Sequence, residues 1–190
     1  MFITSQSRSH RVSGWAIPAL SAALLALSAC STAPRSESDR VEIQDDAATS
    51  LATARKNDPT LGQILNNAAG YAVFPTVGKG AVGVGGAYGR GVLYEGGAFA
   101  GYCDLSQASI GFQLGGQAYT EIIAFETPAA LSTFKSGNFA FGAQATAVAL
   151  KSGAGANAKY ADGVAVFTMG EAGLMYEASI GGQKFSYQAK

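Results

Sequence analysis

The stretch GKGAVGVGGAYGRG, residues 78–91, holds seven glycines in fourteen positions and constrains the fold more than any other segment. Read with a period of two, Ala81, Gly83, Gly85, Ala87, Gly89 and Gly91 fall on one side. Val82, Val84, Tyr88 and Arg90 fall on the other. Successive side chains of a strand point to opposite faces, so one face of this strand is nearly bare. A bare face admits close approach of another backbone, or sharp coiling of the strand. Each glycine costs about 0.5–1 kcal/mol relative to alanine in ordered structure. So many of them predict a tightly curved sheet. The same letters contain Gly78-Lys79-Gly80-Ala81-Val82-Gly83, the GxGxxG pattern of dinucleotide-binding loops. That mechanism requires a helix directly afterwards to hold the phosphate. The following VGGAYGRG does not start one, so the strand reading is preferred.

The chain around this stretch alternates between strand and helix signals. The segment VEIQDDAATSLATARKN places Val41, Ala48, Leu51 and Ala52 at roughly helical spacing, with acids early and Arg55 and Lys56 late, as the helix dipole favours. A second helix is expected with Asp58 as cap, Pro59 in its first turn and an apolar stripe of Leu61, Ile64, Leu65 and Ala68. Gly70 is expected to end it. YAVFP, 71–75, reads as a short strand stopped by Pro75. Strands are then expected over 80–88, 90–95, 97–103, 108–114, 118–126, 138–150, 162–169, 172–180 and 183–188. The segment TPAALSTFKSG interrupts them. Thr127 caps, Pro128 starts, Leu131 and Phe134 face inward and Gly137 stops a short helix. The fold class expected is α+β: a strongly coiled antiparallel sheet, either a sandwich or a partly closed barrel, with two N-terminal helices and one short inserted helix.

The first 29 residues read as an export leader. Arg8, His10 and Arg11 precede an apolar run from Trp15 to Ala29, which at about 15 residues is shorter than the roughly 20 that span a bilayer. The run ends Leu27-Ser28-Ala29-Cys30, which resembles the bacterial lipobox. That resemblance implies cleavage before Cys30 and lipidation of its sulfur. Residues 30–40 then form a lipidated N-terminus and tether, and 41–190 the domain. Ser31 follows the cysteine, where retention in the inner membrane goes with Asp, so the expected location is the periplasmic face of the outer membrane.

Charge and residue inventory narrow the chemistry. The chain has 13 basic and 13 acidic residues. Two of the basic ones, Arg8 and Arg11, leave with the leader, so the remainder is slightly acidic and unsuited to nucleic acid. The only histidine leaves too, which removes Ser-His and Cys-His nucleophilic systems and His-ligated zinc. Cys103 has no adjacent cation to activate it and reads as a small buried residue. Ser132-Thr133-Phe134-Lys135 matches the SxxK of penicillin-binding enzymes, and Lys151-Ser152-Gly153 resembles their later K-[ST]-G. The chain is far smaller than those enzymes and lacks their SDN motif, so the bland reading of a solvated Ser and Lys is preferred. Glu95 with Glu121, or Glu126 with Glu177, are carboxylates that adjacent strands could bring together. No metal or cofactor is expected, and no catalysis.

Several motifs resemble the SYLF-domain family. Gly85-Gly86-Ala87-Tyr88-Gly89-Arg90-Gly91-Val92-Leu93-Tyr94 looks like its GGSYGRGVLF-type core. Ser109-Ile110-Gly111-Phe112-Gln113-Leu114-Gly115-Gly116-Gln117 is similar to its SxGFQIGGQ segment. Phe139–Ala143 and Gly173–Ser179 are similar to later family strands. The resemblance covers about residues 50–187. It implies a non-catalytic lipid-binding module, since eukaryotic members bind phosphoinositide membranes and some bind actin. This chain carries Glu42, Asp45 and Asp46 on its leading helix, which oppose anionic lipid, and no SH3 domain. Lys79 and Arg90 flank the glycine strand and are the candidate headgroup contacts. The alternatives are a structural envelope lipoprotein that binds a protein or the cell wall without free lipid affinity, and a small outer-membrane β-barrel.

Overall fold

The computed structural model describes residues 32–82, 84–110, 115–142, 146–170 and 177–190. It is an α+β domain built on one eight-stranded sheet. In chain order the elements are α1 (Glu37–Asn57), α2 (Leu61–Asn67), β1 (Gly70–Val82), β2 (Val84–Glu95), β3 (Ala98–Ile110) and β4 (Gly115–Phe125). There follow α3 (Pro128–Lys135), β5 (Thr146–Ala149), α4 (Ala154–Asn157), β6 (Val164–Gly170), β7 (Glu177–Ser179) and β8 (Gln183–Ala189). The spatial order is β7-β5-β6-β4-β1-β2-β3-β8. Its two ends do not pair with each other, so the sheet is open. All pairs are antiparallel except β5 with β6, which is parallel. The antiparallel sheet expected thus carries one parallel pair and is mixed. The parallel pair arises because the α4 segment carries the chain back between two neighbouring strands.

Two apolar cores lie on the two faces of the sheet. One face carries Tyr71 and Val73 of β1, Val92 of β2, Tyr102 of β3 and Ile122 and Ala124 of β4. It is covered by α1, through Ala47, Leu51 and Ala54, and by α2, through Leu61 and Leu65. The other face carries Ala72, Phe74, Leu93, Leu105, Ile123 and Phe125. It closes over α3, through Leu131 and Phe134, and over Phe139, Phe141 and Phe185. The Phe134 ring centre lies 4.7 Å from that of Phe125 and 5.3 Å from that of Phe185. This second face is concave. Its core joins Ala147 of β5 to Phe185 of β8, from opposite flanks of the sheet order.

Local sequence explains most elements. Ser36 caps α1 by accepting the Asp39 N–H at 3.1 Å, so the helix starts earlier than its apolar spacing indicates and absorbs residues 37–40 of the expected tether. The α3 segment matches its sequence signals throughout. Thr127 accepts from the Ala130 N–H at 3.2 Å, Leu131 and Phe134 are buried, and Gly137 is left-handed at φ 73°. Elsewhere the expectations shift. Pro75 does not stop a strand; β1 runs through it with a register irregularity between Val73 and Thr76. The expected strand 80–88 is the end of β1 and the start of β2, with Val82 paired to Val84. Among the described residues, the expected strand 138–150 is an isolated bridge at Ala140 and the four residues of β5, with 143–145 outside the described residues. Part of the expected strand 172–180 lies outside the described residues.

The glycine stretch is structural. Gly89 and Gly91 lie on the concave side of β2, where the irregular part of β1 presses in. A Cβ on Gly91 would collide with the Val73 carbonyl oxygen and come within 2.8 Å of the Phe74 ring. The bare face read from the sequence is therefore where β1 and its Phe74 pack.

Candidate functional site

Three groups of polar side chains stand out, each placed by a different feature of the fold. The first is sealed in the concave core. Alternation along β4 sends Tyr119, Glu121, Ile123 and Phe125 to that face. Glu121 is fully buried there. Gln183 of β8 donates to Glu121 Oε2 at 3.0 Å and lies 3.4 Å from the Tyr119 hydroxyl. Thr168 of β6, in register with Glu121, is also fully buried. Burial pushes the Glu121 carboxyl up to about 7, against the opposing hydrogen bonds from Gln183 and Tyr119. Near neutral pH it therefore carries a proton for much of the time.

The second group is a structural pin. Asp58 sits between α1 and α2 and accepts from the Thr60 N–H at 3.0 Å, the Thr60 hydroxyl at 2.6 Å and the Gly153 N–H at 3.1 Å. It also accepts from the Gly155 N–H, so it holds the α4 turn against α2. Burial alone raises its carboxyl, but these donors outweigh that and hold it below its ordinary value. The expectation of Asp58 as the α2 cap is met only indirectly. Thr60 occupies the cap position, and Asp58 orders the turn before it.

The third group lies open on the convex face of β2, β3 and β8. Tyr88, Arg90, Asp104 and Ser186 alternate outward on these strands, and register sets Arg90 beside Asp104 and Asp104 beside Ser186. Arg90 Nε donates to the Tyr88 hydroxyl at 3.0 Å and stands 3.8 Å from Asp104 Oδ1. The Tyr88 hydroxyl donates to the same oxygen at 3.4 Å. The Tyr88 hydroxyl, followed by the Asp104 charge, holds the Arg90 guanidinium above its ordinary range. Tyr88 is 51% exposed. One row further along, Lys184 of β8 is in register with Ser106, and Ser106 with Tyr88. Thr32 and Ala33 dock at this group's edge. The Thr32 hydroxyl shares a hydrogen bond with Ser186 at 2.9 Å, and the Ala33 N–H donates to Gln188 at 3.1 Å.

The two headgroup candidates read from the sequence do not come together. Lys79 is in register with Ala87, which belongs to the concave core, whereas Arg90 points out on the convex face. Cys30, the expected lipidation site, lies outside the described residues. Ser132 is exposed, and Lys135 makes its ion pair with Glu95 of β2. Glu95 and Glu121 do not meet: Glu95 is exposed and Glu121 is internal. The Glu126/Glu177 pair involves a side chain outside the described set. Cys103 is buried in the concave core, and burial, then Asp104, raises its thiol well above the ordinary value. It is the inert small residue expected. Missing from the sequence reading were Lys184, Gln183 and Thr32. The alternation of Gln183-Lys184-Phe185-Ser186 signals an outward Lys184, but nothing local tells which strand β8 joins. Among the described residues no three His, Cys, Asp or Glu side chains gather as a metal site, and no helix is long and apolar enough to cross a membrane.

Fold and surface first define a class: an α+β domain on an open, curled mixed sheet, with one polar cluster sealed inside and another laid out on an exposed sheet face. Comparison with known proteins adds a family likeness. Residues 106–190 match the family model Ysc84, described as "Las17-binding protein actin regulator", so a little under half of the chain is similar to that family. A relative from Aeromonas veronii, "Beta cell expansion factor A", is 32% identical over 84 residues. The match takes in 44% of this chain and 32% of that protein, so the chain spans about a third of the relative it matches.

Proposed function

We propose that this chain is a lipid-anchored envelope protein whose SYLF-like domain binds membrane surfaces without catalysis. The anchor is Cys30, and the location is the periplasmic face of the outer membrane. The observation that carries the reading is the exposed Tyr88–Arg90 couple on the sheet face beside the docked residues Thr32 and Ala33. An aromatic with a polar tip next to a guanidinium suits the boundary between headgroups and acyl chains. The likeness of residues 106–190 to the Ysc84 family model supports it. Lys79 is retained as a separate candidate contact on the other face.

A second reading is favoured by the family's own description, which names binding to a protein. Here the exposed face meets an envelope protein or the cell wall, and the lipid serves only as an anchor. Two measurements test the proposal. Incorporation of labelled palmitate that disappears in Cys30→Ala supports the anchor. Vesicle binding by the unanchored chain separates the membrane reading from the protein-partner reading, and its absence overturns the former.

A further inference from the structure

We propose that the strip of the convex face centred on Tyr88 and Lys184, with Arg90 at its border, is the surface that lies against phospholipid headgroups. The inference rests on the reading of Cys30 as lipid-modified, and goes beyond it by fixing which side of the domain the bilayer meets.

The N-terminal arm sets the geometry. Thr32 and Ala33 are buried, at 9% and 3% exposure, and are held to Ser186 and Gln188 of β8. Arg40 Nε donates to the Pro34 carbonyl at 3.0 Å, tying the arm to the first turn of α1. The arm is thus part of the folded surface. Cys30 precedes Thr32 by two residues, and two residues span at most about 7 Å whatever their conformation. A lipid on Cys30 therefore enters the bilayer within about 7 Å of Thr32. Thr32 itself sits on Ser186, and Lys184 is two residues along the same strand, again about 7 Å away. The headgroup layer is of similar depth, roughly 5–7 Å on each side of the hydrocarbon. An attachment so close does not leave this strip clear of the headgroups.

The chemistry of the strip fits that position. Tyr88 is half exposed with a polar tip, Lys184 is exposed, and the Arg90 side chain is 47% exposed beside them. The partner is a phospholipid surface with anionic headgroups, which Lys184, the interfacial Tyr88 and an Arg90 shared with Asp104 meet together. Glu37 and Asp39 in the first turn of α1, and Glu42, Asp45 and Asp46 in its first half, lie toward the arm's end of the 21-residue helix, so the docked arm and not these acids sets the orientation. The domain then stands on the strip with the far end of α1 turned away. The α4 turn packs against α2 beyond that far end, so Lys151 lies roughly 30 Å of helix length from the arm.

Single cysteines replacing Tyr88, Lys184 and Lys151 test this in the full lipidated chain. Each carries a fluorescent probe; Cys103 is buried and Cys30 acylated. The protein is reconstituted into vesicles of phosphatidylethanolamine and phosphatidylglycerol whose headgroups bear a nitroxide quencher. Quenching several-fold stronger at 88 and 184 than at 151 is expected. Equal quenching at the three sites, or the strongest at 151, overturns the proposal while leaving the anchor intact. The mass of the chain is read first: a chain without lipid on Cys30 overturns the anchor reading and this proposal with it. If the Tyr88 substitution disturbs folding, the contrast between positions 184 and 151 decides.

Discussion

Gln183 of β8 donates a hydrogen bond to Glu121 of β4 at 3.0 Å, although three strands stand between them in the sheet. In a flat sheet four inter-strand steps would separate them by about 19 Å. Their contact measures how tightly the sheet is curled, and it closes the concave core around a carboxyl group.

That carboxyl makes stability depend on pH. Burial, the largest cause, raises the folded value to about 7 from an ordinary 4.5. Between these values the folded state holds a proton that the unfolded chain has released. Stability therefore falls as pH rises from about 4.5 to 7 and levels off above. The shift corresponds to roughly 3 kcal/mol at most. Glu121→Gln keeps the shape without the charge, so its stability should exceed the wild type at pH 8 and approach it at pH 4.5. Chemical denaturation of both proteins across that range checks this. A wild-type-minus-variant difference that does not change with pH contradicts it.

The two ends of the glycine stretch should respond oppositely to alanine. Gly91→Ala drives a Cβ into the Val73 carbonyl and the Phe74 ring, and should cost about 2 kcal/mol or more. Gly80→Ala meets nothing within 4 Å, and should be neutral or stabilise by about 0.5 kcal/mol. Thermal melts of the two variants separate packing from chain entropy as the reason for these glycines.

Asp58→Ala leaves four donors around the α2–α4 junction without their acceptor. A loss of about 3 kcal/mol is expected, together with faster proteolysis near residues 151–159. The folded carboxyl lies below its ordinary value. Its contribution is thus complete above the unfolded value near 4 and is lost as pH falls through the folded one. Asp58→Ala should narrow the gap to wild type in strong acid, as read by denaturant midpoints.

Legibility followed the range of the interactions. The helix α3 was readable because Thr127, Pro128, Leu131, Phe134 and Gly137 encode it within eleven residues. The bare face of β2 was readable because alternation is local. Glu121 was readable in principle, since Tyr119, Ile123 and Phe125 share its parity, yet its partner Gln183 lies 62 residues away. The hairpin at Val82 and Val84 escaped because glycine occurs throughout the stretch and marks no single turn. The exposed cluster escaped because it depends on register among β2, β3 and β8, and on an N-terminal arm whose polar composition resembles a free tether. Lys79 and Arg90 flank the glycine stretch, but strand parity and register put them on opposite faces.

The central claim is that the domain reads a membrane surface apart from its anchor. Co-sedimentation of the Cys30→Ser chain with anionic and neutral vesicles, at low and high salt, tests it most directly. The account predicts binding to anionic vesicles that weakens with salt and drops further in Arg90→Gln with Lys184→Gln. A chain that stays in the supernatant with every vesicle contradicts it, and leaves the proposed lipid on Cys30 as the sole candidate membrane contact.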